Sequence, residues 1–513
     1  MVFYFLTLLG KARKAKFLGL IIIPLLALLI SPYLIDFFLR KDFSAKENNP
    51  EHPNILLIVM DTVRADALSC YGNKKGVTPN IDRIADEGIL FLRALSPAPW
   101  TLPSHASIFT GLYPSQHRTG HGYGGSDDNF STLAEFLLEA GYDTVGFSEN
   151  PIVSASMGLS QGFEDFYRLF SRPDIALTPR VYTKIKNRLF DGKSTGEYAE
   201  DTLKNFKRWI SRKHSRPKAK PFFAFINFMA AHLPNYPRPD FVFAHVSPDL
   251  LDRIEPVNKI PERFYLPDFR LNQEESAAMR ALYEGDISYL DEKLGDILDF
   301  LRNANVLDNT LLILTSDHGE NFGEHDLIED QFCLYNSLLH VPLILRYPPK
   351  MRPGTRQDQA VSTASLFLTI ADLLNIAESR EFKNAEIYSL LNFPLDSPVY
   401  AEYENPKGML SGVIGDEAPA DFNFSQFDRA LRCIYVSENK FIWASDGRFE
   451  LYSVKNDWGE NQNLLNPQDG EIEPFNGLLW SWHKNLWRPG FLRDDKKASK
   501  EAVEALKALG YIK

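Results

Sequence analysis

Cysteine is scarce in this chain: three thiols (Cys70, Cys333 and Cys433) are scattered over 513 residues. So few, so far apart, they exclude a disulfide framework or a cysteine-based zinc site and leave the redox compartment open. Positive charge is also in deficit. Lys and Arg number 56 against 67 Asp and Glu, a formal charge of -11, whereas a nucleic-acid binder carries a basic surface. Internal repeats and low-complexity tracts are absent, which rules out a repeat architecture. The length suffices for a large core and exceeds one typical domain.

Long apolar stretches are few, and the first is terminal. Lys11, Arg13, Lys14 and Lys16 precede a run from Phe17 to Ile35 that is interrupted only by Gly19, Pro24, Ser31 and Pro32. That length is near the roughly 20 residues that cross a bilayer as a helix. The basic cluster predicts a cytoplasmic N-terminus with the bulk of the chain exported. No small-x-small cleavage site follows the run, so residues 1–40 are expected to form an uncleaved membrane anchor, with a cleavable signal peptide as the alternative.

Residues 41–53 are polar and read as a linker. Asn54 to Met60 is a continuous apolar run that suits a strand buried on both faces of a parallel sheet. Similar runs recur at Thr144–Phe147, Phe222–Met229, Thr310–Thr315 and Val341–Leu345, separated by helical patterns at Asn80–Gly88, Thr132–Ala140, Ala281–Leu301 and Ser365–Leu374. This alternation predicts an α/β domain with a large, mainly parallel sheet over residues 54–376. Residues 377–490 change character: short strand-like pieces at Val399–Tyr403, Arg432–Val436, Lys440–Ala444 and Phe449–Val454 predict a smaller antiparallel sheet with helices packed on it. Residues 491–513 read as a helical tail. The basic stretch from Lys184 to Lys220 reads as a solvated face or loop.

The segment Pro99-Trp100-Thr101-Leu102-Pro103 through Gly111 carries the densest chemical signal. Pro in a first turn and Gly past the end predict a helix beginning at Thr101. Unpaired backbone N–H groups at such an end attract anions, which suits a nucleophile attacking a phosphate or sulfate ester, although a threonine there is also an ordinary cap. Two predicted strands end in acidic residues, at Asp61 and at Asp317-His318. Ligands collect at the carboxyl ends of strands in open α/β sheets, so Asp61, Asp317 and His318 are expected to converge on one divalent cation.

The order of these pieces resembles the sulfatase branch of the alkaline phosphatase superfamily, from Asn54 almost to the C-terminus. The resemblance rests on Asn54–Asp61, Thr78-Pro79-Asn80-Ile81-Asp82-Arg83, Thr110-Gly111-Leu112-Tyr113-Pro114 and Phe225–Met229 leading to His232. It continues through Ser316-Asp317-His318-Gly319, Gly323-Glu324-His325, His340-Val341-Pro342 and Glu450–Asp457. It implies a metal-dependent ester hydrolase with Asp61, Thr101, Asp317 and His318 as metal ligands, and with His232 and His340 contacting the substrate. Departures are equally informative. The family's formylglycine precursor, Cys or Ser in C/S-x-P-x-R, is here Thr101, with Pro103 retained and His105 in place of the arginine. Threonine carries an extra methyl on its β-carbon and cannot become the aldehyde, so no formylglycine is expected.

Superfamily relatives that use threonine to cleave or transfer phosphate esters supply a coherent reading. Thr101 is then both nucleophile and metal ligand, with His105 as an orienting group or a packed helix residue. One metal ion is expected, Mn²⁺, Zn²⁺ or Mg²⁺ ahead of Ca²⁺, because Ca²⁺ takes oxygen ligands and His318 offers nitrogen. The expectation is a membrane-anchored hydrolase or transferase of phosphate, phosphonate or sulfate esters, facing the extracytoplasmic side, with an anionic substrate and no nucleic-acid partner. The alternatives are a sulfuric ester hydrolase working without formylglycine, and an inactive binding protein that kept the fold.

Overall fold

A computed structural model describes residues 52–121, 130–169, 196–214, 219–238, 240–241, 246–376, 387–465 and 472–486. The expected anchor (1–40) and helical tail (491–513) lie outside these residues. Among the described residues no helix is long and apolar enough to cross a membrane.

Among the described residues fifteen strands appear in chain order: β1 (Asn54–Met60), β2 (Ile89–Leu95), β3 (Asp143–Ser148), β4 (Asp165–Arg168), β5 (Phe222–Phe228), β6 (Thr310–Thr315), β7 (Asn321–Phe322), β8 (Ile328–Glu329), β9 (His340–Val341), β10 (Leu343–Arg346), β11 (Thr355–Ser362), β12 (Val399–Tyr403), β13 (Leu431–Val436), β14 (Asn439–Ala444) and β15 (Phe449–Ser453). The large sheet has the order β11-β2-β10-β6-β1-β5-β3-β4, with β9 paired to β2. β1 lies between β5 and β6 in parallel register, and every residue of β1, β5 and β6 is buried. That burial on both faces is why these segments are uninterrupted apolar runs rather than alternating ones.

The sheet is mixed and mostly parallel. β10 runs antiparallel to both β6 and β2, and β9 antiparallel to β2. The apolar Val341–Leu345 run is therefore two short strands that reverse the local direction, which periodicity cannot reveal. Two further strands escape an apolar pattern: β2 carries Arg93 midway, and β11 is a polar strand at the sheet's edge.

Helices cover the sheet. The longest, Gln273–Asn303, begins eight residues before the apolar periodicity does. Asn272 accepts from Glu275 N and the Glu275 side chain answers the Asn272 N–H, a reciprocal box that starts the helix in polar sequence. The same helix caps another: Asp291 accepts from the N–H groups of Asn80 and Ile81, in the first turn of the Pro79–Glu87 helix.

The second sheet, β12-β13-β14-β15, is antiparallel throughout. The helix Ile472–Asn485 packs on it through Leu479 and Trp482, the latter ring stacked 4.0 Å from Tyr400. Two bonds join this layer to the loops around Thr101. Glu402 N donates to Pro97 O (2.9 Å), and the Glu402 carboxylate accepts from Ser115 N (2.8 Å).

Candidate active site

The carboxyl ends of β1, β3, β5 and β6 meet on one side of the sheet, and the helix Thr101–Thr110 follows β2 to the same place. Thr101 is the first helical residue, after the extended Trp100, and Gly111 ends the helix in the left-handed region at φ 66°. Ser104 fixes the helix against the β6 end, its Oγ donating to Asp317 O at 2.7 Å.

Three ligand atoms converge there, and in each residue the other polar atom is held from behind. Asp61 Oδ2 accepts from Asn150 Nδ2 (2.7 Å) and Asn227 Nδ2 (3.3 Å). Asp317 Oδ1 accepts from the N–H groups of Thr62 (3.2 Å) and His318 (3.0 Å). His318 Nδ1 lies 2.9 Å from Gly319 O, and a carbonyl only accepts, so Nδ1 carries the proton and Nε2 the lone pair. This leaves Asp61 Oδ1, Asp317 Oδ2 and His318 Nε2, all within 4.8 Å of one another. The two carboxylate oxygens are buried without hydrogen-bond partners.

Two buried carboxylate oxygens and an imidazole lone pair facing one point make a donor set that fits a divalent cation. Bonds that hold each ligand's far atom are what a metal site requires around its ligands. Thr101 Oγ1 stands 3.2 Å from His318 Nε2, beside the same point. Gly319 is obligatory here: a Cβ would lie 2.0 Å from Ser337 O and 2.9 Å from Arg64 Cγ. Thr62, beside Asp61, adopts φ 61°, a left-handed conformation that turns the chain sharply after β1.

Burial raises the carboxyl pKa of Asp61, and repulsion from Asp317 adds to it; burial also raises Asp317. For His318 burial opposes the charged form, but Asp317, Asp330 and Asp61 outweigh it and raise the imidazole. These acids and this base crowd together where a doubly positive ion would relieve them.

The structure brings together Asp61, Thr101, Asp317 and His318. His105 sits one turn after Thr101, fully buried; its Nδ1 is 2.9 Å from Thr101 O and 3.4 Å from Asp317 Oδ2. Burial lowers its pKa to about 4, so it is neutral at pH 7. His232 is buried, with Nδ1 on Leu233 O (2.7 Å) and Nε2 unpartnered. His340 goes elsewhere. Its Nε2 bonds Leu92 O on β2 (2.8 Å) and its ring packs edge-on to Tyr71 and Trp458, a packing role rather than a place in the cluster. His121 stacks 4.3 Å from Trp100, and its Nε2 lies 2.6 Å from Gln331 Oε1.

Sequence reading passed over Asn150, Asn227 and Asp330. Asn150 follows β3 and Asn227 lies in β5, so their place at the sheet's carboxyl edge was an available signal. Asp330 sits beyond the two-residue strand β8, where no periodicity marks it.

The chain belongs to the sulfatase family of the alkaline phosphatase superfamily: the family model described as Sulfatase matches residues 53–376. It is 26% identical to Arylsulfatase K of Canis lupus familiaris over 436 residues, covering 79% of this chain and 78% of that protein. It is 25% identical over 511 residues to a protein named Sulfatase from Formosa agariphila, covering 90% and 94%. Among solved structures, the phosphonate monoester hydrolase of Agrobacterium radiobacter superposes with a TM-score of 0.64 at 21% identity, covering 84% of this chain and 96% of that one. The chain is an enzyme of the ester-hydrolase class.

Proposed function

We propose that this enzyme cleaves or transfers phosphate or phosphonate esters, with Thr101 as the nucleophile and Asp61, Thr101, Asp317 and His318 as the ligands of one divalent ion. The observation that carries the reading is the position of Thr101 Oγ1, 3.2 Å from His318 Nε2 at the meeting point of three ligand atoms. When bound, the ion supplies positive charge that favours the threonine alkoxide and offsets charge on the transferred group.

The chain's own residues do the rest. Thr101 Oγ attacks the phosphorus, the ester oxygen departs with the leaving group, and water or another acceptor then releases the group from Thr101. His105 Nδ1 donates to Thr101 O inside the first helical turn and lies 3.4 Å from Asp317 Oδ2, so the ring packs the start of the helix beside a metal ligand. His232, its Nδ1 held on Leu233 O and its Nε2 unpartnered, donates from Nε2 to a substrate oxygen when the ring carries a second proton. Similarity to a phosphonate monoester hydrolase supports phosphorus esters. Sulfate esters are the second reading, favoured by the sulfatase names among sequence relatives. Attachment to the extracytoplasmic face through residues 1–40 belongs to the same proposal and rests on the basic cluster before the apolar run.

The test is turnover of 4-nitrophenyl phosphate, bis(4-nitrophenyl) phosphate, 4-nitrophenyl phenylphosphonate and 4-nitrophenyl sulfate with Mn²⁺, Zn²⁺, Mg²⁺ or Ca²⁺. Thr101→Ala should lower kcat/KM on phosphorus esters by at least about 1,000-fold, with Thr101→Ser retaining a measurable part. Turnover of the sulfate alone would replace phosphorus with sulfur in this reading, and undiminished activity of Thr101→Ala would remove the nucleophile.

A further inference from the structure

The basic segment before β5 has no part in the chemistry above. It forms the helix Gly196–His214, whose inner side (Ala199, Leu203, Phe206, Trp209 and Ile210) is buried. Thr202 meets Glu149 just past the carboxyl end of β3, whereas Lys213 lies 3.8 Å from Asp143, the first residue of that strand. Trp209 Nε1 likewise donates to Asp165, the first residue of β4. The helix therefore runs antiparallel to β3 and ends at the amino edge of the sheet, opposite Thr101. Its outer side carries Lys204, Arg208 and Arg212, all exposed and four residues apart. Lys220 stands exposed at the same edge, two residues before β5.

Nothing in the fold answers this charge. Among the described residues no carboxylate lies within ion-pair distance of Lys204, Arg208, Arg212 or Lys220. Acids beside the helix are already engaged: Asp143 with Lys213, Asp165 with Trp209 and Glu200 with Lys293. Like charges four residues apart weaken a helix slightly. A cation in the last turn complements the helix dipole, but Lys204 and Arg208 lie earlier, so that account covers Arg212 alone. The chain as a whole is acidic, at -11, and the stripe reverses that field locally. Its place points to a partner. Phe222 N donates to Asn54 Oδ1 (3.3 Å), so the start of β5 lies against the start of β1, where the chain arrives from the basic and apolar run through residues 41–53. That linker reaches at most about 45 Å, which would let an undocked domain drift several Debye lengths from a bilayer.

We propose that this basic stripe docks on anionic headgroups of the bilayer that the N-terminal run enters, holding the amino edge of the sheet down and turning the carboxyl edge, with Thr101, toward water. The occupant is an anionic lipid surface, because the linker delivers this edge to a bilayer and a juxtamembrane cluster of Lys and Arg is drawn to anionic lipid. The inference rests on the proposed attachment through residues 1–40 and adds an orientation to it.

The experiment acetylates lysines with a water-soluble reagent on the full chain, reconstituted in vesicles of phosphatidylcholine alone or with about 30% phosphatidylglycerol, and reads each site by mass spectrometry. Lys204 and Lys220 should react at least about threefold more slowly in the anionic vesicles, and about 0.5 M NaCl should cancel the difference by cutting the Debye length to a few ångströms. Lys455, exposed just past β15 in the second layer, should react equally in both. The combined variant Lys204→Gln, Arg208→Gln, Arg212→Gln should lose the protection of Lys220, with melting temperature and turnover of a soluble ester unchanged. Equal labelling of the wild-type lysines in the two vesicle types overturns the inference without any variant having to fold. Protection by dextran sulfate but not by phosphatidylglycerol also overturns it, in favour of a soluble polyanion. Release of the chain from both vesicle types by alkaline carbonate would instead show that the attachment is misassigned.

Discussion

Single residues at the site divide into those that meet the ion or substrate and those that aim them. Asn150 is of the second kind, because its amide holds Asp61 Oδ2 at 2.7 Å and so turns Oδ1 inward. Asn150→Ala should weaken metal affinity by about 10- to 100-fold, the usual cost of losing a ligand's supporting partner. Titration calorimetry with Mn²⁺ reads the change, and an affinity equal to wild type would refute it. Legibility in the sequence follows the same division. Asp61, Asp317, His318 and Thr101 each sit just past a strand or at a helix start, so local pattern exposes them. Asn150, Asn227 and Asp330 reach the cluster from distant positions in the chain, and the resemblance that assigned His340 to the substrate carries no sign that its Nε2 bonds Leu92 O.

At the scale of elements, the end of β3 is tied to the helix Gly196–His214 and to β5 through a buried acid. Glu149 accepts from Thr202 Oγ1 (2.6 Å) and from Met229 N (3.0 Å), and burial raises its pKa to about 8. The folded state therefore holds this proton more tightly than the unfolded chain, whose value is near 4.5. Stability from this group is complete below pH 4.5 and is lost as pH rises toward 8, by about 3 kcal/mol between pH 4.5 and 7. Glu149→Gln should abolish that decline, so its melting temperature relative to wild type should rise across this window. A difference constant with pH would show that Glu149 is not protonated when folded. Element types were largely legible: the strand at Thr310–Thr315 and the four antiparallel pieces follow from apolar runs and turn residues. Direction and edges were not. The reversed β10 and the polar strand β11 owe their places to pairing partners far away in sequence.

Across the whole molecule, the two sheets are held together by buried polar bonds as well as by packing. Lys440 on β14 pairs with Glu460 at 2.5 Å, both about fully buried, and Glu460 accepts from Asn336 N (2.6 Å) just before β9. Removing one partner strands the other charge, so Lys440→Met should cost about 3–5 kcal/mol, measured by urea denaturation. The double variant Lys440→Met/Glu460→Leu should recover much of the loss, and no recovery would mean that packing, not charge, is at stake. Composition hinted at a second layer through its change of texture after residue 376, but nothing local showed where it would dock. Docking has a consequence for how such enzymes can be inherited. Glu402 of the small sheet grips Pro97 and Ser115, on either side of the helix that begins at Thr101. A recombination event that exchanged the C-terminal layer at the seam near residue 376 would carry off one jaw of that grip. Thr101 and the layer behind it are thus a single heritable unit, and chimeras cut at the seam should come out folded in parts but chemically mute.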